Sequence, residues 1–266
     1  MQGSLRKIIS AIFMISALAA CAADMKTADY AYRNQDYNSA RKHYEKLADK
    51  GFPEAQTSLG RIYLYGKGIE RDPEKALELF RQASRPGGDP RAKRYIPRAL
   101  AYAGRSAVKG EAKYLTPRQG LQMLRQAAAE NNKTALFELG YAWENGLAGL
   151  QPDGRKATEY YLKAAGTGYG RAYHYLADMY EDGELVPRNL DIAVRLYENA
   201  VRNDYPRAAV NLGRLYEKGE GVAQNKSKAM AYYRYAQNNG VPAKEEIARL
   251  MSKDFPDKTT SNENTE

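Results

Sequence analysis

The chain has 266 residues, with 41 Lys and Arg against 32 Asp and Glu, a formal charge of +9 and one cysteine. A single thiol excludes an internal disulfide framework, so stability must come from packing. The composition is rich in Ala, Tyr, Leu, Arg and Lys without long β-branched runs, which favours helix over strand, and the interleaved acids and bases suit solvated helix faces.

In chain order, the first element is an address. Arg6 and Lys7 precede an apolar and small-residue run, Ile8 to Ala20, and no acid occurs before Asp24. The run has secretory-signal length and falls short of the roughly 20 apolar residues that span a bilayer. It ends Leu18-Ala19-Ala20-Cys21, small residues that suit signal peptidase followed by the only cysteine. These residues resemble the lipobox of bacterial lipoproteins. The resemblance implies a signal peptide over 1–20, cleavage before Cys21, and lipidation on the Cys21 sulfur and the new N-terminus. Two or more acyl chains, at about 0.8 kcal/mol per buried CH₂, hold a protein stably on a membrane. Ala22, and not Asp, follows the cysteine; in that family this implies the outer membrane, facing the periplasm. The alternative is a soluble secreted protein with an incidental cysteine. Removing residues 1–20 takes Arg6 and Lys7 with it, leaving 246 residues at +7. A basic envelope protein suits acidic partners such as an acidic polysaccharide or anionic lipid, and no nucleic acid is expected there.

The next elements repeat. Ala28-x-x-Ala31-Tyr32 to Ala40 reads as a first half-unit. Then come Ala40-x-x-x-Tyr44, and Ala55-x-x-x-Leu59-Gly60-x-x-Tyr63-x-x-Gly66-x-Gly68. Further on stand Ala157-x-x-x-Tyr161 with Ala172-x-x-x-Leu176-Ala177-x-x-Tyr180-x-x-Gly183. Last are Ala193-x-x-x-Tyr197 with Ala208-x-x-x-Leu212-Gly213-x-x-Tyr216-x-x-Gly219-x-Gly221. Ala40 to Ala76, Ala157 to Ala193 and Ala193 to Ala229 are each 36 residues apart. Leu and Tyr at i and i+4 share a helix face, small residues let two helices approach, and the Gly-x-Gly turn ends the helix in left-handed geometry. Each unit is therefore two short antiparallel helices that must stack on neighbours to bury their apolar faces. Ala76 to Gly120 spans 44 residues, with Pro86-Gly87-Gly88-Asp89-Pro90 and Pro97 interrupting the pattern. This predicts a divergent unit at 76–119 with a longer loop and a longer helix; such a loop is either a binding element or an insertion without a role. Near Trp143 the turn is altered to Gly146-Leu147-Ala148-Gly149. The polar residues 252–266 are expected to be a disordered tail.

These motifs resemble Sel-1-like repeats, a subfamily of the tetratricopeptide-like superhelices, over roughly residues 39–251. The resemblance implies an all-α fold, a right-handed superhelical solenoid of antiparallel helix pairs, about six units over 21–251. It also implies an adaptor that nucleates multi-protein complexes. In such solenoids the positions two before and two after the repeat Leu line the groove. Here they hold Thr57 and Arg61, Phe137 and Tyr141, His174 and Asp178, and Val210 and Arg214. Aromatic and Arg side chains make binding hot spots, so Phe137, Tyr141, His174 and Arg214 are the candidate partner-binding residues. Seven tyrosines at repeat positions (Tyr44, Tyr63, Tyr161, Tyr180, Tyr197, Tyr216 and Tyr233) are expected in the core.

Catalytic motifs are missing. His43 and His174 stand far apart, without a second His, Cys or carboxylate at metal spacing, and no Ser-x-x-Lys or Gly-x-Ser-x-Gly occurs. Gly66-Lys67-Gly68 lacks phosphate-loop spacing and is a repeat turn. Glu144, Glu181 and Glu217 recur at one repeat position, which argues for scaffolding. No catalytic residue, metal or cofactor is expected. Among Sel-1-like lipoproteins the architecture is similar to the alginate, or exopolysaccharide, secretion scaffolds, which implies partners such as an outer-membrane export porin or polysaccharide-synthesis proteins. The alternative is a periplasmic regulator that binds a sensor-kinase domain. An envelope hydrolase is a third reading; Sel-1-like proteins of that kind carry a disulfide in each repeat, and this chain has none.

Overall fold

The computed structural model describes residues 19–254. Residues 1–18 of the expected signal and 255–266 of the expected tail lie outside the described residues. Those described are all-helical, in antiparallel pairs with no strand. Two compact units divide within one helix, the first ending at Ala135 and the second beginning at Leu136.

The first unit holds α1 (19–33), α2 (Tyr37–Ala48), α3 (Pro53–Tyr65), α4 (Pro73–Ala83), α5 (Ile96–Val108) and α6 (Pro117–Ala129). The second takes most of α7 (Lys133–Glu144), then α8 (Gly154–Gly166), α9 (Gly170–Asp182), α10 (Leu190–Arg202), α11 (Arg207–Lys218), α12 (Lys226–Asn238) and α13 (Lys244–Asp254). α13 reaches three residues into the segment expected to be tail.

Two recurring end signals set the helix lengths. The even-numbered helices α2 to α12 begin at Asp36, Asp72, Thr116, Asp153, Asn189 and Asn225, whose side chains accept a hydrogen bond from the backbone N–H three residues on. Each such cap satisfies a donor that the helix leaves free. α3, α9 and α11 end at Gly66, Gly183 and Gly219, all left-handed, so the chain turns back within a few residues.

In most pairs the inner surface is filled by one large ring against one small residue; at Gly104 the large side chain is Leu124. A methyl group on Gly60 would lie 2.7 Å from the Phe80 ring, and one on Gly213 would lie 2.7 Å from Tyr233. Both rings are fully buried. Six of the seven repeat tyrosines are buried as expected; Tyr180 is only half-buried.

The surplus in the divergent unit lies between α4 and α5, in a loop that ends in a 3-10 turn over Ala92–Tyr95. α4 and α5 have 11 and 13 residues, ordinary lengths here, but the 3-10 turn Ala92–Tyr95 runs directly into α5, so the expected longer helix takes the form of a continuous helical stretch over 92–108. Residues 84–95 connect them, whereas α8 and α9 are joined by 167–169. Pro97 starts α5 from its first turn, where a missing N–H costs nothing. The loop is tied down: Asp89 is buried and paired with Arg91 at 2.9 Å, and Tyr95 stacks on Phe80 at 5.2 Å.

Candidate functional site

α7, α9 and α11 carry the sequence-predicted binding residues on one repeated register, and the structure divides them by depth. Phe137 is fully buried and His174 is 7% exposed, so neither is the groove contact expected of it. Thr57, at the same register, is also buried. The physical reason is stacking: the N-terminal halves of α7 and α9 are covered by tyrosines from the following pair. Phe137 meets Tyr169 and Tyr175 at 5.6 and 5.0 Å, and His174 meets Tyr205 at 5.0 Å. One turn later, Tyr141, Asp178 and Arg214 are half-buried and still reach the surface.

Around buried Phe137 stand half-buried Tyr141, Tyr169 and Tyr175, with the Arg171 guanidinium 4.4 Å from the Phe137 centroid and 5.3 Å from that of Tyr175. Edge-to-face and cation–π contacts of this kind hold aromatic side chains rigidly, so they lose little freedom on meeting a partner. Tyr169, Arg171, Tyr175 and Tyr205 were not singled out from the sequence. A signal existed: Tyr169 and Tyr205, and likewise Arg171 and Arg207, are 36 residues apart.

Beside the aromatic face lies a hydrogen-bonded network. The Tyr197 hydroxyl is 2.5 Å from Asp178 Oδ1 and 2.8 Å from Glu181 Oε2, and Asn211 donates to that hydroxyl at 2.9 Å and to Asp178 Oδ1 at 3.2 Å. Arg214 forms an ion pair with Glu181, so it is engaged within the unit. One phenol proton can serve only one of the two carboxylates; a proton retained on Asp178 serves the other contact. The electrostatics agree. Burial pushes the Asp178 carboxyl up to about 7; the charges of Asp182, Glu181 and Glu144 add to the rise, and the Tyr197 hydrogen bond opposes it. His174 Nε2 lies 3.4 Å from Asp178 Oδ2, and its Nδ1 has no hydrogen-bond partner. Burial, then the charges of Arg207 and Arg171, push its imidazole down to about 4, so His174 is neutral at pH 7.

The recurrent carboxylates are the partners of the buried tyrosines. Tyr161 donates to Glu144 at 2.5 Å and Tyr233 to Glu217 at 2.9 Å, as Tyr197 does to Glu181. Burial raises the Glu144 carboxyl. No group of three or more His, Cys, Asp or Glu that could hold a metal occurs among the described residues. Cys21 is buried in α1, with Lys50 Nζ 3.7 Å from its sulfur.

The Sel1 repeat model matches residues 30–52, 53–87, 133–168, 170–205 and 206–241, more than half of the chain. The chain belongs to the Sel1 repeat family. The Sel1 matches leave 88–132 between them, the segment that the structure fills with the long loop, α5 and α6.

A Sel1 repeat protein from Oxalobacter formigenes superposes with a TM-score of 0.65 at 23% identity, covering 86% of this chain and 98% of that one. A protective antigen of uropathogenic Escherichia coli gives 0.64 at 24% identity, over 90% of this chain and 50% of that one. These likenesses speak for the fold.

Among curated proteins, the alginate biosynthesis protein AlgK of Azotobacter vinelandii is 33% identical over 129 residues, 47% of this chain and 26% of AlgK. The DAP3-binding cell death enhancer 1 of Rattus norvegicus is 27% identical over 167 residues, 62% of this chain and 31% of that protein. The chain thus spans about a third or less of these relatives. Sel1 repeats mediate protein–protein interaction, and this chain is a scaffold of that kind.

Proposed function

We propose that the chain is a lipid-anchored scaffold on the periplasmic side of the outer membrane, holding a protein partner in an exopolysaccharide-secretion assembly of the alginate type. The observation that carries the binding role is the rigid aromatic face of the second unit, where Tyr141, Tyr169 and Tyr175 stand half-buried around Phe137 under Arg171. Such a face supplies recognition area without a nucleophile, a metal set or a paired acid and base in an open cleft. The likeness to AlgK supports the pathway, and the lipobox ending at Cys21 supports the anchor. Acylation of Cys21 requires its sulfur to leave the α1 packing, so in the mature protein the helix starts beyond the anchored residue.

The test is affinity capture from crosslinked envelopes with the wild type, Cys21→Ser and Tyr141→Ala. Capture of an export porin or a polysaccharide-synthesis protein, lost in Cys21→Ser and weakened in Tyr141→Ala, supports the reading. An inner-membrane sensor captured equally well without the lipid would replace it with the regulator reading.

A further inference from the structure

Positive charge is not shared evenly. Residues 1–135 hold 24 Lys and Arg against 13 Asp and Glu, while residues 136–266 hold 17 against 19. The first unit therefore carries the whole excess, and part of it is organised. Lys67 Nζ sits 4.9 Å from the centroid of the Tyr37 ring and donates to its hydroxyl at 3.2 Å. Tyr37 meets Tyr32 edge-on at 5.4 Å. The Arg61 guanidinium lies 5.3 Å from Tyr32 and 5.8 Å from Tyr95, and Arg94 lies 5.4 Å from Tyr95. The result is a row of three cations and three rings drawn from α1, α2, α3, the turn that follows α3 and the long loop. None of the three cations makes an ion pair with a carboxylate among the described residues. Arg61 donates one long bond, 3.4 Å to the Tyr32 hydroxyl, and its Nε has no partner. Elsewhere in the same unit, half-buried Arg41 and exposed Lys46 are paired with acids.

We propose that this row binds an acidic polysaccharide of the polyuronate class. Guanidinium groups present planar N–H edges that match carboxylates, and tyrosine rims and hydroxyls suit the faces and hydroxyls of sugar rings. Arg61 and Lys67 are half-buried against the rings, and Arg94 stays exposed beside Tyr95. A slender chain lying along the row meets charge and aromatic edge together, whereas a flat bilayer would favour long, free lysines. Tyr95 and Arg94 belong to the surplus loop, so the row is completed by the segment that departs from the regular repeat. The proposal shares the polymer with the secretion reading but uses a different surface and no protein partner, so either can fail alone.

The test uses purified full-length Cys21→Ser protein and isothermal titration with oligogalacturonate. A neutral dextran of equal length, poly-glutamate, and vesicles containing phosphatidylglycerol serve as comparisons. The expected result is salt-sensitive binding to the uronate, tighter than to poly-glutamate and absent for dextran. Lys67→Gln with Arg94→Gln should weaken it about tenfold or more. Arg195→Gln with Arg234→Gln, which removes the same charge from exposed positions in the second unit, should leave it unchanged. Circular dichroism confirms that both double variants remain folded. Equal binding to poly-glutamate, vesicle binding without uronate binding, no uronate binding, or equal loss in both double variants would each overturn the proposal.

Discussion

The two units fill the same place in the repeat with different chemistry. In the second unit a small residue, a tyrosine and a carboxylate recur together: Gly140 with Tyr161 and Glu144, Ala177 with Tyr197 and Glu181, and Gly213 with Tyr233 and Glu217. In the first unit the corresponding positions are Gly60 with Phe80 and Leu64, and Gly104 with Leu124 and Val108, all buried. Where the ring loses its hydroxyl, the carboxylate four residues after the small residue becomes aliphatic. Only the first hairpin of that unit keeps the polar form, with Tyr44 donating to Asp29 at 2.6 Å. The lesson is that repeat packing fixes a volume, and the polar rim of that volume changes in matched pairs. A hydroxyl without an acceptor, or a buried carboxylate without a donor, is costly, whereas removing both is nearly neutral.

The sharpest way to break the comparison is to attack what the units share. Leu59→Ala and Leu212→Ala remove buried side chains at one register in the two units, and each should cost about 2–5 kcal/mol in urea denaturation. A small loss in one alone would mean that the register is not equivalent.

What differs between the units should show next. Tyr197→Phe should cost about 1–3 kcal/mol by removing the hydroxyl that bridges Asp178 and Glu181, leaving the first to Asn211 and the second to Arg214, and Phe80→Tyr should cost a similar amount by burying an unpaired hydroxyl. Adding Leu64→Glu to Phe80→Tyr should recover at least about 1 kcal/mol relative to the sum of the single changes, read from a double-mutant cycle. Strict additivity would show that the first unit cannot hold the polar pair.

The capping residues should be interchangeable between units. Asp72→Ala and Asn225→Ala should each lower stability by about 1 kcal/mol, seen as matched falls in Tm.

The smallest effect concerns pH. Asp178 is raised to about 7 from 3.8, so between these values the folded state holds its proton more tightly than the unfolded state, and Asp178 subtracts stability as pH rises. His174 is lowered to about 4 from 6.5; over that range the unfolded state holds more protons, and His174 adds stability as pH rises. The two oppose each other in the wild type. Asp178→Asn should therefore steepen the rise in Tm between about pH 4 and 6.5. At pH 8 it should be more stable than the wild type by up to about 1 kcal/mol, allowing for the side chain's partial exposure. Parallel pH profiles for the two proteins would show that Asp178 is ionised throughout.

The 36-residue spacing, the small residue facing each ring, the helix caps and the Gly turns are local or periodic features, and the chain by itself determined them. Periodicity also marked Glu144, Glu181 and Glu217 as equivalent, although not as the partners of Tyr161, Tyr197 and Tyr233. Depth was decided by tertiary structure alone. Phe137 and Tyr141 share a helix face, and helical geometry treats them alike; only the tyrosines of the following pair cover the first and leave the second at the surface. The same holds for the long loop. Its prolines announced an interruption, but its placing of Tyr95 between Phe80 and Arg61 depends on contacts across the fold that no local pattern encodes. Local rules fix where helices begin and end; the stacking of one pair on the next fixes which side chains remain for a partner.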